Sequence, residues 1–199
     1  MGFRAEQYGI GLPIGLHMHV CDRRNIVICR FANFDHLSLV DTAAKLLCVD
    51  LKGPRYLTGG SGATILMRRA TRDDVPRIMQ IRAGVRENRL RDPSRVTVED
   101  VFWFVDNPGI FLWEEDSSVV GFSASDPRNG NIFALFVEER YERRGIGQAL
   151  FECACKVLVD AGCSRMWLTT WPGTRAERFY RKAGWRVTGM HNGNLVFEK

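Results

Sequence analysis

The chain has 199 residues and a mass of 22.6 kDa, room for one full domain with a small appendage. At 45% hydrophobic and 26% charged residues it sits close to the globular average, which excludes a collagen, a coiled coil or a mainly disordered chain. A formal charge of +5 from 28 basic and 23 acidic residues favours an anionic ligand, but no basic stripe interleaved with aromatics is present, so no nucleic-acid partner is expected.

The longest uncharged stretch near the amino end, Gln7 to Cys21, is shorter than the roughly 20 apolar residues of a membrane-spanning helix and contains Pro13, His17 and His19. Only Arg4 precedes it as a positive charge, no small-residue cleavage site follows, and Glu6 occupies the position where a myristoylation signal needs Ser or Thr. A cytoplasmic protein without a membrane partner is expected, as a monomer or homodimer. Cys21, Cys29, Cys48, Cys153, Cys155 and Cys163 form no C-x-x-C pair, so free thiols are expected in that compartment. His17-x-His19-x-Cys21 aligns three potential ligands along one strand face, but the usual zinc spacings are missing and no metal is expected.

Gly59-Gly60-Ser61-Gly62 reads as a linker. It separates an N-terminal extension, residues 1–63, from a domain at residues 64–199. Met67 is itself a possible native start, which would make the preceding residues an upstream extension with little selected structure. Thr64 to Arg69 reads as a strand, and Thr71-Arg72-Asp73-Asp74 as a helix cap. The following helix should bury Val75, Ile78, Met79, Arg82 and Val85. A second helix is expected from about Thr97 to Asp106, stopped by Asn107-Pro108-Gly109. The period then changes to two: Ile110 to Glu114, Val119 to Ser125 and Asn131 to Glu138 read as an antiparallel meander.

Gly145 to Ala161 places Ile146, Ala149, Leu150, Cys153, Val157 and Ala161 on one helical face, ended by Gly162. Met166 to Thr170 is a further strand. Thr174-Arg175-Ala176-Glu177 is a capping box for a helix that buries Ala176, Phe179, Tyr180 and Ala183 and ends at Gly184. Arg186 to Met190 and Leu195 to Glu198 flank the turn His191-Asn192-Gly193. The fold class expected from this β-α-α-β-β-β-α-β-α-β-β order is α/β, an α+β mixed and mostly antiparallel sheet with helices on both faces.

The chemistry is concentrated at Leu135-Phe136-Val137-Glu138-Glu139-Arg140-Tyr141-Glu142-Arg143-Arg144-Gly145-Ile146-Gly147-Gln148. A strand feeds a loop with two glycines and a helix begins at once, so its first N–H groups lack acceptors inside the helix and form a seat for a phosphate. Gly145 and Gly147 admit an anion close to the backbone, while Arg143 and Arg144 add about 0.3–1 kcal/mol each. No Lys-[Ser/Thr] follows the glycines, which excludes a Walker loop. Leu150 stands where a dinucleotide fingerprint needs Gly or Ala, and the segment follows a meander instead of opening a parallel sheet.

With L-x-V, R-R-G-I-G-x-x-L and Ala176-Glu177-Arg178-Phe179-Tyr180-Arg181-Lys182-Ala183-Gly184-Trp185, residues 64–199 resemble the GNAT superfamily of acyl-coenzyme A dependent N-acetyltransferases. The chain departs from that pattern at Glu142, where Gln or Arg is common, and at Gly173, where Asn often stands. The resemblance implies acetyl-CoA as cosubstrate, its diphosphate held by backbone N–H groups from Arg143 to Gln148, and an amine acceptor. It also implies an acyl carbonyl polarised by a backbone N–H in the Phe136-Val137 segment, Tyr180 as general acid, and Arg86, Asn88 and Trp171 beside the acceptor. Only about one in 10³ of a lysine-like amine is neutral at pH 7, so a carboxylate base helps; Glu138 ranks above Glu139 for that role. No cysteine of this region pairs with a histidine base, so direct attack in a ternary complex is expected over an acyl-cysteine route. The alternative class is a noncatalytic acyl-CoA binding or regulatory module.

Overall fold

The computed structural model describes residues 16–21, 26–31, 55–58, 64–89, 92 and 95–199, with backbone only for the strands before residue 64 and for Thr64. The Gly59 to Gly62 linker lies outside the described residues, as do the side chains of His17, His19 and Cys21. In chain order the elements are β1 (Leu16–Cys21), β2 (Ile26–Phe31), β3 (Arg55–Thr58), β4 (Thr64–Arg69), α1 (Val75–Gly84), α2 (Val98–Asp106), β5 (Ile110–Glu115), β6 (Ser118–Asp126) and β7 (Asn131–Val137). They continue with α3 (Ile146–Asp160), β8 (Trp167–Thr170), α4 (Arg175–Lys182), β9 (Arg186–His191) and β10 (Asn194–Glu198). From residue 64 onward this is the expected order.

Among the described residues the strands form one sheet in the order β1-β2-β3-β4-β5-β6-β7-β8-β10-β9. From β4 to β7 the pairing is antiparallel, as it is through β8, β10 and β9. The seven strands from β4 onward are therefore mostly antiparallel, with one parallel contact between β7 and β8. On the β4 edge, β3 pairs antiparallel and β2 pairs parallel to β3.

Helices cover both faces. On one, α1 and α2 bury Ile78, Ile81, Val101 and Phe104 against Ile110, Leu112, Phe122 and Ala124. On the other, Ser125 Oγ donates to the Ala154 carbonyl of α3 at 3.0 Å, and Phe151, Leu158, Leu168, Tyr180, Trp185 and Phe197 form a second core. This double cover explains why β6 is buried almost without interruption: both sets of its alternating side chains face helices.

The helical faces differ from the sequence expectation in detail. Thr71 caps a short 3-10 turn, Arg72–Asp74, before α1 begins. Val85 follows the end of α1 in extended conformation, and Ile81 takes its place in the core. In α3 the buried residues are Ile146, Ala149, Leu150, Phe151, Cys153, Ala154 and Leu158; Val157 is half-buried and Ala161 exposed. A broad apolar face laid on a sheet follows the i, i+4 row 146, 150, 154, 158, which an i, i+3 continuation through 157 leaves behind. Thr174 accepts from Glu177 N as expected, but Glu177 reaches back to Gly173 N at 2.7 Å instead of completing a capping box.

The junction of β7 and β8 depends on Gly130. Its φ is +74°, and a Cβ there would stand 2.1 Å from the Arg165 carbonyl oxygen. That approach lets Trp167 N donate to Gly130 O at 2.9 Å. Gly130→Ala should destabilise the fold by about 2–3 kcal/mol, from strain at positive φ plus backbone displacement, measured by denaturant unfolding; an unchanged midpoint would show that the junction yields freely.

Candidate active site

A cleft of about 840 Å³ lies beside the carboxyl end of β7. It exists because β7 and β8 share one registered pair, Asn131 with Trp167, and run on without further pairing. Three segments wall it: the end of α1 with the loop to Asn88, residues 135–143 with Gly147, and the start of α4. Glu138 N donates to Val120 O at 2.8 Å and Phe136 stands opposite Phe122. Because an antiparallel strand alternates the direction of its N–H groups, the Val137 N–H points away from β6, to the side from which β8 has diverged.

Past β7 the chain makes a 3-10 turn, Glu139–Tyr141, and two left-handed residues follow, Arg143 at φ 63° and Gly145 at φ 84°. These reverse the chain into α3, which Gly145 caps without a side-chain hydrogen bond. The first helical bond runs from Ala149 N to Gly145 O at 3.1 Å, so the N–H groups of Ile146, Gly147 and Gln148 precede the first donor with a partner inside the helix. A Cβ on Gly147, which lines the cleft, would meet only Val137 Cγ2, at 3.9 Å. Bare backbone with unclaimed N–H groups at the positive end of a 15-residue helix fits a diphosphate.

The side chains of this loop contribute unequally. Arg143 lines the cleft. Arg144 is engaged elsewhere, with Glu115 at 3.3 Å and the Arg140 carbonyl at 3.2 Å. Ile146 is buried in the core and Gln148 Nε2 donates to Glu152 at 2.7 Å, so these two offer main-chain groups to a ligand.

Of the remaining site candidates, Phe136, Glu138, Tyr180, Arg86 and Asn88 all border the cleft. Glu138 Oε1 accepts from Arg77 at 2.7 Å and Oε2 from Arg140 at 3.2 Å, which fixes the carboxylate against the wall. Glu139 pairs with Arg86 at 3.0 Å. Asn88, at φ 56°, accepts at Oδ1 from Trp171 N at 2.7 Å and Thr170 Oγ1 at 3.0 Å. It therefore braces the loop after α1 against the end of β8; Trp171, expected beside the acceptor, meets Asn88 through its backbone N–H and does not line the cleft. The Arg82 guanidinium lies over the Phe136 ring at 5.2 Å and the Phe133 ring at 5.5 Å, backing the wall with a cation–π contact; burial lowers its pKa.

Tyr180 is 7% exposed, with its ring 5.5 Å from Phe151, 5.2 Å from Phe179 and 5.7 Å from Phe197. Burial, and secondarily Cys155, push its phenol far above the ordinary value of 10.0. The hydroxyl therefore holds its proton more strongly than a free phenol does.

Sequence reasoning did not find Arg77, Glu87 or Arg175. Arg77 meets Glu138 across 61 positions and Arg175 meets Glu87 across 88; no local pattern encodes pairs formed by folding. Among the described residues no group of His, Cys, Asp and Glu is arranged to hold a metal, and no helix is long and apolar enough to cross a membrane.

Known proteins bear out the architecture. No curated protein matches the chain in sequence. Its fold is similar to that of the PaiA N-acetyltransferase of Thermoplasma acidophilum in complex with coenzyme A, at 17% identity and TM-score 0.56, covering 68% of this chain and 98% of that one. YncA of Salmonella typhimurium with its cofactor acetyl-CoA is similar at 15% identity and TM-score 0.56, covering 68% and 92%. Ard1 of Thermoplasma volcanium is similar at 20% identity and TM-score 0.56, covering 68% and 96%. Residues 75–185 match the model of the acetyltransferase (GNAT) family. That span includes the left-handed turn into α3, the diverging end of β7 and Tyr180, and the chain belongs to the GNAT acetyltransferase family and is an acyltransferase.

Proposed function

We propose that the protein transfers acetyl from acetyl-CoA directly to a primary amine of a small molecule or peptide. The observation that carries this reading is one cleft with the unclaimed N–H groups of α3 on one wall and Tyr180 on another. Main-chain N–H groups from Arg143 to Gln148 hold the diphosphate, with Arg143 adding charge. The thioester supplies an activated acyl carbon. The Val137 N–H stabilises negative charge on the acyl oxygen, a role for which a fixed backbone dipole needs no reorganisation. Glu138, held by Arg77 and Arg140, takes the proton of the incoming amine directly or through a water. Tyr180 donates its hydrogen bond to the sulfur as the C–S bond breaks.

Neither Cys153, Cys155 nor Cys163 borders the described cleft, which supports direct attack over an acyl-cysteine route. The test is thiol release from acetyl-CoA with a panel of amines: release that depends on at least one amine supports transfer. Saturable binding of acetyl-CoA with no release for any acceptor would instead identify a noncatalytic acyl-CoA binding module.

A further inference from the structure

Glu142 opens the turn that delivers the chain to α3, within a few residues of the N–H groups assigned to the diphosphate. An uncompensated carboxylate there would repel the ligand. It is compensated by Arg175, the first residue of α4, whose Nη1 donates to Glu142 Oε2. The same guanidinium reaches the third wall, with Nε donating to Glu87 Oε1 at 3.2 Å and the Arg175 backbone N donating to Glu87 Oε2 at 2.9 Å. Arg175 thus ties together the loop after α1, the turn before α3 and the start of α4, and all three partners border the cleft. The pair is partly open to water, with side-chain exposures of 47% for Arg175 and 28% for Glu142, so its contribution to folding is small. Its field on an anion bound a few ångströms away is not.

We infer that Arg175 is a positioning residue for the coenzyme site, neutralising and holding Glu142, and that Glu142 sets coenzyme affinity below what the backbone cradle alone would give. This rests on the diphosphate reading above. Removal of one negative charge at this range in a partly solvated site should tighten binding about five-fold. Removal of Arg175 leaves Glu142 uncompensated and should weaken it by a similar factor.

The experiment is a double-mutant cycle on the full chain, with coenzyme A binding followed by calorimetry for wild type, E142Q, R175Q and E142Q/R175Q, and S-acetylpantetheine, which lacks the diphosphate, as a control ligand. Tighter binding by E142Q, weaker binding by R175Q, a double variant that binds as tightly as E142Q because Arg175 acts through Glu142, and no response of the control ligand support the assignment. Additive effects, which would return the double variant to wild-type affinity, or weaker binding by E142Q, overturn it while leaving the cradle intact. Absence of coenzyme A binding by wild type overturns the cradle and this assignment together.

Discussion

Tyr180→Phe should lower turnover by about 10²-fold or more while leaving the affinity for acetyl-CoA within about two-fold, because a positioned acid is worth roughly 10²–10⁴ in rate. The substitution is clean for a structural reason. Tyr180 lies among Phe151, Phe179 and Phe197, and a Phe ring keeps those contacts, so only the hydroxyl is lost. Even at ordinary values a phenol giving its proton to a thiolate runs uphill by about 2 kcal/mol, and burial raises the Tyr180 phenol further. On the proposed reading the Tyr180 hydroxyl therefore acts as a hydrogen-bond donor to the sulfur while charge builds on it during C–S cleavage.

The same shift fixes two signs. An acid held protonated in the fold stays a donor through pH 10, so an alkaline fall in activity below that pH does not come from Tyr180. For stability, the folded chain binds this proton more tightly than the unfolded one. The contribution is present below about pH 10 and is lost as pH rises beyond it. Steady-state kinetics of the Phe variant check the assignment; turnover equal to wild type removes Tyr180 from the mechanism and leaves it a core aromatic.

Gly147→Glu should reduce coenzyme A affinity at least ten-fold with little loss of thermal stability. A Cβ at this position meets only Val137 Cγ2 at 3.9 Å, so the side chain fits without displacing the fold. A carboxylate in the first turn of α3 interacts favourably with the helix dipole, worth about 0.3–1 kcal/mol. The charge that helps the helix would occupy the place argued for the diphosphate, so binding and stability should move in opposite directions. Arg143→Ala is the comparison: the loss of one exposed cation should weaken binding by a smaller factor. Calorimetry and thermal melts measure both, and a Gly147→Glu variant that binds as tightly as wild type would place the diphosphate elsewhere.

The elements from β4 to β10 were legible because each is announced locally. Thr174 does accept the expected backbone N–H group, worth about 1 kcal/mol, and Gly162 and Gly184 do take positive φ at the helix ends. The hairpin turn holds Asn192 and Gly193 at φ 51° and 78°, the pair that a tight two-residue turn requires. Helix faces were less legible. Val85 and Val157 share a helical period with buried neighbours, yet one follows the helix end and the other stands at the rim of the face, because periodicity gives a direction and not the width of the surface it meets.

Within the candidate site, Gly145, Gly147 and Tyr180 stand out in the sequence because their chemistry depends on residue type at short spacing: a left-handed turn, a bare backbone, a phenol in an aromatic run. Arg77 on Glu138, Asn88 bracing Trp171 and Arg175 clasping Glu87 and Glu142 have no such spacing. The sequence by itself determined the order of elements from β4 onward and the glycine turn that leaves bare N–H groups at the head of α3, since hydrogen-bond acceptors, glycine freedom and side-chain period act over one or two turns. Only the tertiary structure decided which carboxylate meets which guanidinium and which N–H of β7 faces the cleft, because those follow from strand divergence and from contacts between segments that meet only once the sheet is built.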